Sequence, residues 1–279
     1  MLRRNVLGWL TVPTLAVMLA SGPAGAHIAR AAGPGAPHLQ AGSSLHLLNP
    51  GYLTVGSDTT YPPQESIVNG KAVGADIDLA NAMAKAMGLK GAKIVSNDFN
   101  SIIPAMTIRH RFDVIMSSMT DNADRRKLVN FVDYMVSAEA ILVRSGSPIH
   151  GNSYASVCGH SIAVESGTTE YDELTAQAKK CSISIKTYTH DTDAYQAFVS
   201  RHTDSYTGDY PVVVLYVKQS SGSFKMAGKA FSSGEKYGIA MTKGATTLRS
   251  AINKALQKIR TSGQYRQILK KWGLASAAI

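Results

Sequence analysis

At 279 residues, 44% of them hydrophobic and 7% aromatic, the chain is long enough for two lobes with a core in each, and its composition is neither fibrous nor that of a disordered polymer. The formal charge of +10 is spread along the chain with no basic stripe interleaved with aromatic residues, which argues against a nucleic-acid partner. No segment after the N-terminus is long and apolar enough to span a bilayer.

The N-terminus opens with Arg3 and Arg4, runs through an apolar stretch at 6–20 and reaches the small-residue pattern Ala24-Gly25-Ala26. These are the marks of a secretory signal peptide, residues 1–26. Residues 27–44 are rich in Ala, Gly and Pro and read as a flexible lead-in. The expected product is an exported protein, periplasmic or extracytoplasmic, soluble once the signal is cleaved.

The first strand is predicted at 52–56, leading into Ser57-Asp58-Thr59-Thr60-Tyr61-Pro62-Pro63-Gln64, where two prolines forbid regular structure. Asn69-Gly70 marks a tight turn within a hairpin-like excursion at 65–73. Residues 76–87 form an amphipathic pattern with Ile77, Ala80, Ala84 and Met87 on one face and Gly88 beyond its end. A strand at 92–96 then leads to Phe99 and to Ser101, expected as the N-cap of a helix over 102–109.

The apolar run Asp113-Val114-Ile115-Met116 reads as a buried strand, followed by Ser117-Ser118-Met119-Thr120 and a short helix that begins around Arg125. Hydroxyls and a guanidinium therefore stand where a strand ends and a helix begins. Open α/β sheets bind ligands at that end of their strands, and arginine grips a carboxylate through two parallel hydrogen bonds.

After a strand at 139–144 a second α/β series begins. A strand at 161–165 runs into Ser166-Gly167-Thr168-Thr169 and a helix to about 180, a hydroxyl-rich turn suited to an anionic group. Further strands are predicted at 183–188 and 204–208, with a helix at 193–201 between them. Asp209 and Pro211 open a segment, 212–217, whose composition suits a strand but whose start signals favour a helix, which is the reading adopted. Phe231 to Met241 returns through Ser232-Ser233-Gly234 to a strand, and Thr246 opens a helix with Leu248, Ala251, Ile252, Ala255, Leu256 and Ile259 on one face.

The two cysteines, Cys158 and Cys181, read as a disulfide in an exported chain, closing a loop worth roughly 3 kcal/mol; two buried free thiols are the alternative. No cofactor motif and no metal-ligand spacing is visible. Strand-end residues from both series supply an arginine, an aspartate, hydroxyls and aromatic rings. That combination suits two lobes closing on a small zwitterion, with Arg125 for a carboxylate, Asp209 for an ammonium and Tyr61 or Phe99 along the stem between them.

At Val55-Gly56-Ser57-Asp58-Thr59-Thr60-Tyr61-Pro62-Pro63, Gly74-Ala75-Asp76-Ile77-Asp78-Leu79-Ala80, Phe99-Asn100-Ser101-Ile102-Ile103-Pro104, Phe112-Asp113-Val114-Ile115-Met116-Ser117-Ser118-Met119-Thr120-Asp121, Val164-Glu165-Ser166-Gly167-Thr168-Thr169 and Lys270-Lys271-Trp272-Gly273-Leu274 the chain resembles the periplasmic polar-amino-acid-binding proteins of ABC importers, the solute-binding family 3 that includes the lysine/arginine/ornithine- and histidine-binding proteins. The resemblance covers nearly all of the chain after the lead-in. It implies an α/β, two-lobed periplasmic-binding-protein fold of type II, its lobes joined by two hinge strands, with lobe 1 over 45–138 and 231–279 and lobe 2 over 139–230.

The resemblance also implies that Arg125 meets the ligand carboxylate with help from Ser118, Thr120 and Thr169, that Asp209 and Ser118 hold the ammonium, and that Tyr61 and Phe99 sandwich the side chain. Asp58 stands where relatives that select cationic side chains place a carboxylate, and Ser117 and Thr168 complete the hydroxyl loops of the site. Gln64 stands where many relatives carry Phe. The expected partners are a polar amino acid, with Asp58 favouring a cationic one, and a membrane permease, with the protein acting as a monomer and no nucleic acid involved. Two other functions fit the same scaffold: a periplasmic dehydratase of prephenate or arogenate type, which needs a carboxyl poised as acid or base, and a ligand-presenting partner of a sensory receptor.

Overall fold

Runs of apolar residues buried on both faces and separated by amphipathic helices build parallel strands with crossovers. The chain does this twice. The computed structural model describes residues 45–136, 138–231 and 234–279; the expected signal peptide 1–26, the lead-in 27–44 and the pair Ser232-Ser233 lie outside the described residues.

In the first sheet the strand Tyr52–Ser57 pairs in parallel with Gly91–Ser96 on one side and Val114–Ile115 on the other. Lys236–Thr242 then joins Val114–Ile115 antiparallel, and Val129–Val136 closes the edge against it. One face is packed by Ala75–Ala86 and Thr246–Thr261, which bring Leu79, Met83, Ile252 and Leu256 against Leu53, Val55 and Ile239. The other face carries Ile102 and Met106 of the helix Ile102–Thr107 over Phe112, Ile115 and Ala240. A three-stranded ribbon, Thr60–Tyr61, Glu65–Val68 and Lys71–Val73, turns at Asn69-Gly70 and stands beside the sheet.

The second sheet has Ser161–Glu165 parallel to both Ser184–Tyr188 and Ser205–Asp209, then Glu139–Arg144 and Phe224–Met226 added antiparallel. Phe198, Tyr206, Val213 and Tyr216 fill one face and Ile141, Val143, Ile162, Val164 and Leu174 the other. The Cys158–Cys181 disulfide, with Cα atoms 5.7 Å apart, ties the segment before Ser161–Glu165 to the one before Ser184–Tyr188. The chain crosses between the sheets just before Glu139 and again after Phe231, and these two passages are hydrogen-bonded to each other: Glu139 N donates to Phe231 O at 2.7 Å and Phe231 N to Glu139 O at 2.9 Å.

Two local expectations are corrected, and two strands are added. Ser101 does not cap the helix that follows; Phe99–Ser101 already winds as a 3₁₀ turn, and the Ser101 hydroxyl turns back to the Asp98 carbonyl at 3.3 Å. The segment 212–217 is helical within Tyr210–Gln219, as the start signals indicated, yet Asp209 makes no side-chain cap to it because its carboxylate is engaged elsewhere. Val129–Val136 and Phe224–Met226 are edge strands without a clean alternation of buried and exposed residues, and the sequence did not announce them.

Candidate functional site

The carboxyl ends of the parallel strands of both sheets face one cavity of about 310 Å³, partly open to solvent. Every site residue read from the sequence lines it: Asp58, Tyr61, Phe99, Ser117, Ser118, Thr120 and Arg125 from the first side, Thr168, Thr169 and Asp209 from the second. Glu65, Glu165 and Glu170 complete the lining and were missed. Gln64 is fully buried and does not reach the cavity.

On the first side Asp58 follows the strand Tyr52–Ser57 and is 2% exposed. Its Oδ1 accepts from Thr60 N at 3.0 Å and Thr60 Oγ1 at 2.6 Å, and its Oδ2 from Phe99 N at 3.0 Å. The Asp58 N–H donates to Ser117 Oγ at 2.8 Å, and Ser117 Oγ donates to Glu65 Oε1 at 2.8 Å. Ser118 takes a left-handed backbone, φ +44°, which costs a non-glycine residue about 1–2 kcal/mol and recurs at functional sites. Buried Asp76 stabilises that conformation by accepting Ser118 N at 2.8 Å and Tyr134 Oη at 2.6 Å. Ser118 Oγ is buried and has no hydrogen-bond partner, so a donor and acceptor is left for a ligand.

Arg125 is placed by Asn122, whose side chain caps Ala123–Leu128 by accepting Arg125 N at 2.9 Å. The guanidinium lies over the Phe99 ring at 5.3 Å and donates to Thr120 O at 2.9 Å and, across the cavity, to Gly167 O at 3.0 Å. Gly167 has φ +81°, and a Cβ there would stand 2.7 Å from Asn100 Cα of the other side, so only glycine permits this approach.

On the second side Thr168 caps Thr169–Ala178, its hydroxyl accepting Tyr171 N at 3.2 Å and donating to Glu165 O at 2.8 Å. Thr169 Oγ1 stands 3.5 Å from Thr120 Oγ1 and 3.3 Å from Glu170 Oε2. Tyr61 crosses from the ribbon: its hydroxyl donates to Asp209 Oδ2 at 2.9 Å and accepts Asp209 N at 2.8 Å. Gly208 beside it leaves room for the Tyr206 hydroxyl, which a Cβ would meet at 2.4 Å.

Five carboxyl groups and one guanidinium line the cavity. Burial pushes Glu65, Glu165 and Asp209 well above the usual carboxylate range, and neighbouring acids push them further: Asp76 for Glu65, Asp58 for Glu165, Glu170 for Asp209. Glu170 is raised by burial and held back by its own backbone N–H and by Arg125. Such a site retains protons when empty and gains by admitting a cation. The missed acids left little trace in the sequence. A glutamate at the last position of a strand or the second of a helix reads as solvated, and only the tertiary fold buries it.

Residues 53–275 match the family model of bacterial extracellular solute-binding proteins, family 3, and the chain belongs to that family. It is 28% identical over 242 residues to the lysine/arginine/ornithine-binding periplasmic protein of Escherichia coli strain K12, spanning 84% of this chain and 92% of that protein. An ancestral arginine-binding protein solved with arginine superposes with a TM-score of 0.75 at 36% identity, over 80% of this chain and 98% of the other. The structure of an ancestral arginine-binding protein bound to glutamine matches equally, with a TM-score of 0.75 at 35% identity, over 81% and 99%. The two-lobed architecture is thus that of amino-acid-binding proteins of this family. Among the described residues no helix is long and apolar enough to cross a membrane.

Proposed function

We propose that this chain is the extracytoplasmic solute-binding component of an ABC amino-acid importer and that it takes a cationic amino acid into the cleft between its lobes. Arg125 receives the α-carboxylate, with Ser118, Thr120 and Thr169 donating beside it. Asp209 holds the α-ammonium, and Tyr61 and Phe99 flank the stem. The lobes, 45–138 with 231–279 and 139–230, close about the crossing segments near Glu139 and Phe231, and the closed form is what a permease recognises.

The observation that carries this reading is the charge of the cavity: five carboxyls against one guanidinium. A neutral side chain leaves that excess unpaired, whereas a side-chain cation pairs it. The arginine-binding relatives support the same choice. The carboxyls are read as binding groups and the protein as no enzyme, since its relatives are named for binding.

A thermal-shift screen of the mature chain against the common amino acids tests this. Ligand at about 100 times its dissociation constant adds roughly 2.7 kcal/mol of stability. A shift with arginine, lysine or ornithine is the expected outcome. No shift with any amino acid, together with turnover of prephenate or arogenate, would replace the binding reading by the dehydratase one.

A further inference from the structure

Two segments that line the cleft also line a second hollow. Tyr61 and Asp209 face the cleft and are hydrogen-bonded to each other, whereas Pro63 and Tyr210, just beyond them in the chain, line a groove of about 1140 Å³ that is partly open to solvent. Both passages of the chain between the sheets reach this groove, through Val136 and Ala138 on the way out and Ala230 on the way back, and none of these three lines the cleft. The groove therefore sits at the crossing itself.

Its lining is apolar and only half covered. The helix Tyr210–Gln219 buries Val212, Val213 and Tyr216 in the second core and leaves Tyr210, Val214 and Leu215 partly or fully exposed along the groove. Trp272 lines it from the first body, its ring held by Nε1 donating to Asp78 Oδ2 at 2.8 Å. Lys218 is the one charged residue of the lining; it is exposed, and its ammonium makes no ion pair or hydrogen bond among the described residues. Fixed rings and apolar walls with a single free cation suit an aromatic body that carries one anion.

We propose that this groove is a second binding site, that it takes a small aromatic acid whose carboxylate meets Lys218, and that its occupancy favours the closed cleft. The coupling rests on reading the cleft as an amino-acid site that closes on its ligand; the groove itself does not. The cleft walls touch in this structure, Arg125 reaching Gly167 O at 3.0 Å, and the groove stands open at the same time. One of its walls comes from each side of the crossing passages, so bending there changes its width. A rotation that parts the cleft walls brings Trp272 towards the helix Tyr210–Gln219 and narrows the groove. The acid then binds the parted form less well, and differential affinity is what shifts such an equilibrium. The connection between the two sites is short: Tyr210 N donates to Ala138 O at 2.7 Å, and Asp209 before it accepts the Tyr61 hydroxyl at 2.9 Å.

The two tryptophans of the chain are Trp9 and Trp272, so tryptophan emission from residues 27–279 reports on the groove alone. The probes are hydrocinnamate and its neutral counterpart hydrocinnamide. Hydrocinnamate is expected to change the emission saturably and to bind tighter than the amide. Lys218→Gln should weaken the acid by about threefold and leave the amide unchanged. Ala277→Phe, which fills the groove, should lose both. With the acid at saturation, arginine affinity in calorimetry should rise about fivefold or more, and arginine should tighten the acid by the same factor. No saturable change in emission, or equal losses of acid and amide in Lys218→Gln, overturns the groove as an acid site. A concentration-dependent dimer in sedimentation that excludes the acid assigns the groove to a second copy and overturns it too. Arginine affinity that ignores bound acid overturns the coupling. A folded protein that binds the acid and no amino acid overturns the reading of the cleft and leaves the groove standing.

Discussion

The two walls of the cleft place a buried carboxyl behind their strand ends, held by tyrosine hydroxyls, and use it differently. Behind the first wall Asp76 accepts from Tyr134 and from the Ser118 N–H, so the acid fixes a backbone conformation at the site. Behind the second, Asp191 accepts from the hydroxyls of Tyr206 and Tyr216, the latter at 2.9 Å and stacked on Tyr195 with centroids 3.6 Å apart. There the acid locks two helices to the sheet. Glu139 repeats the device at the crossing point, where Tyr154 donates to it at 2.5 Å. Burial raises all three acids, and hydroxyl donation pulls them back: Asp76 to about 6, Asp191 to about 7, Glu139 to about 9 with Glu170 adding repulsion. The lesson is a division of labour. The first wall is rich in oriented donors and carries the arginine; the second is rich in acids and is stabilised from behind.

The comparison breaks most sharply at Arg125, which belongs to the first wall and touches the second. Arg125→Ala removes the proposed carboxylate partner and the donor to Gly167 O, and should weaken amino-acid binding by about 2–5 kcal/mol in calorimetry, with little change in the melting of the ligand-free protein. The disulfide belongs to the second wall alone. Replacing Cys158 and Cys181 by Ala frees a loop with a sequence separation of 23, and denaturant unfolding should register a loss of roughly 3 kcal/mol without a matching loss of affinity.

A smaller effect is expected where the walls meet. Gly167→Ala puts a Cβ against Asn100 and a side chain on a left-handed backbone, at a cost of about 1–2 kcal/mol, so affinity should fall by about tenfold. The pH dependence of stability separates the two buried acids. Between the ordinary aspartate value of 3.8 and about 7 the native state holds a proton on Asp191 that the unfolded chain has lost, so stability falls as pH rises through that window. Asp76 acts likewise up to about 6. The melting temperature of the ligand-free protein should therefore rise as pH is lowered from 8 to 5, and Asp191→Asn should flatten the upper half of that slope. An unchanged slope would assign it to other acids.

Much of this was legible along the chain. Asn69-Gly70 turned where a hairpin was expected, Pro211 opened a helix against the β-like composition of 212–217, and Cys158 met Cys181. The hydroxyls at 117–120 and 168–169 gathered at strand ends because strand ends are where a sheet with crossovers exposes backbone and loop donors. Ser101 was misread because a serine before an apolar run signals a cap equally well when a 3₁₀ turn has already begun. The edge strand Val129–Val136 was silent because its partner, Lys236–Thr242, lies a hundred residues away and supplies the pairing.

The sequence by itself determined most of the central strands and helices, the Asn69-Gly70 turn, the pairing of the two cysteines and the residue types at the strand ends, since periodicity, proline and glycine act over a few neighbours. Only the tertiary structure decided which acids are buried. Glu65, Glu165 and Glu170 resemble surface residues in the sequence, and only the packed fold buries them and gathers five scattered carboxyls around one cavity.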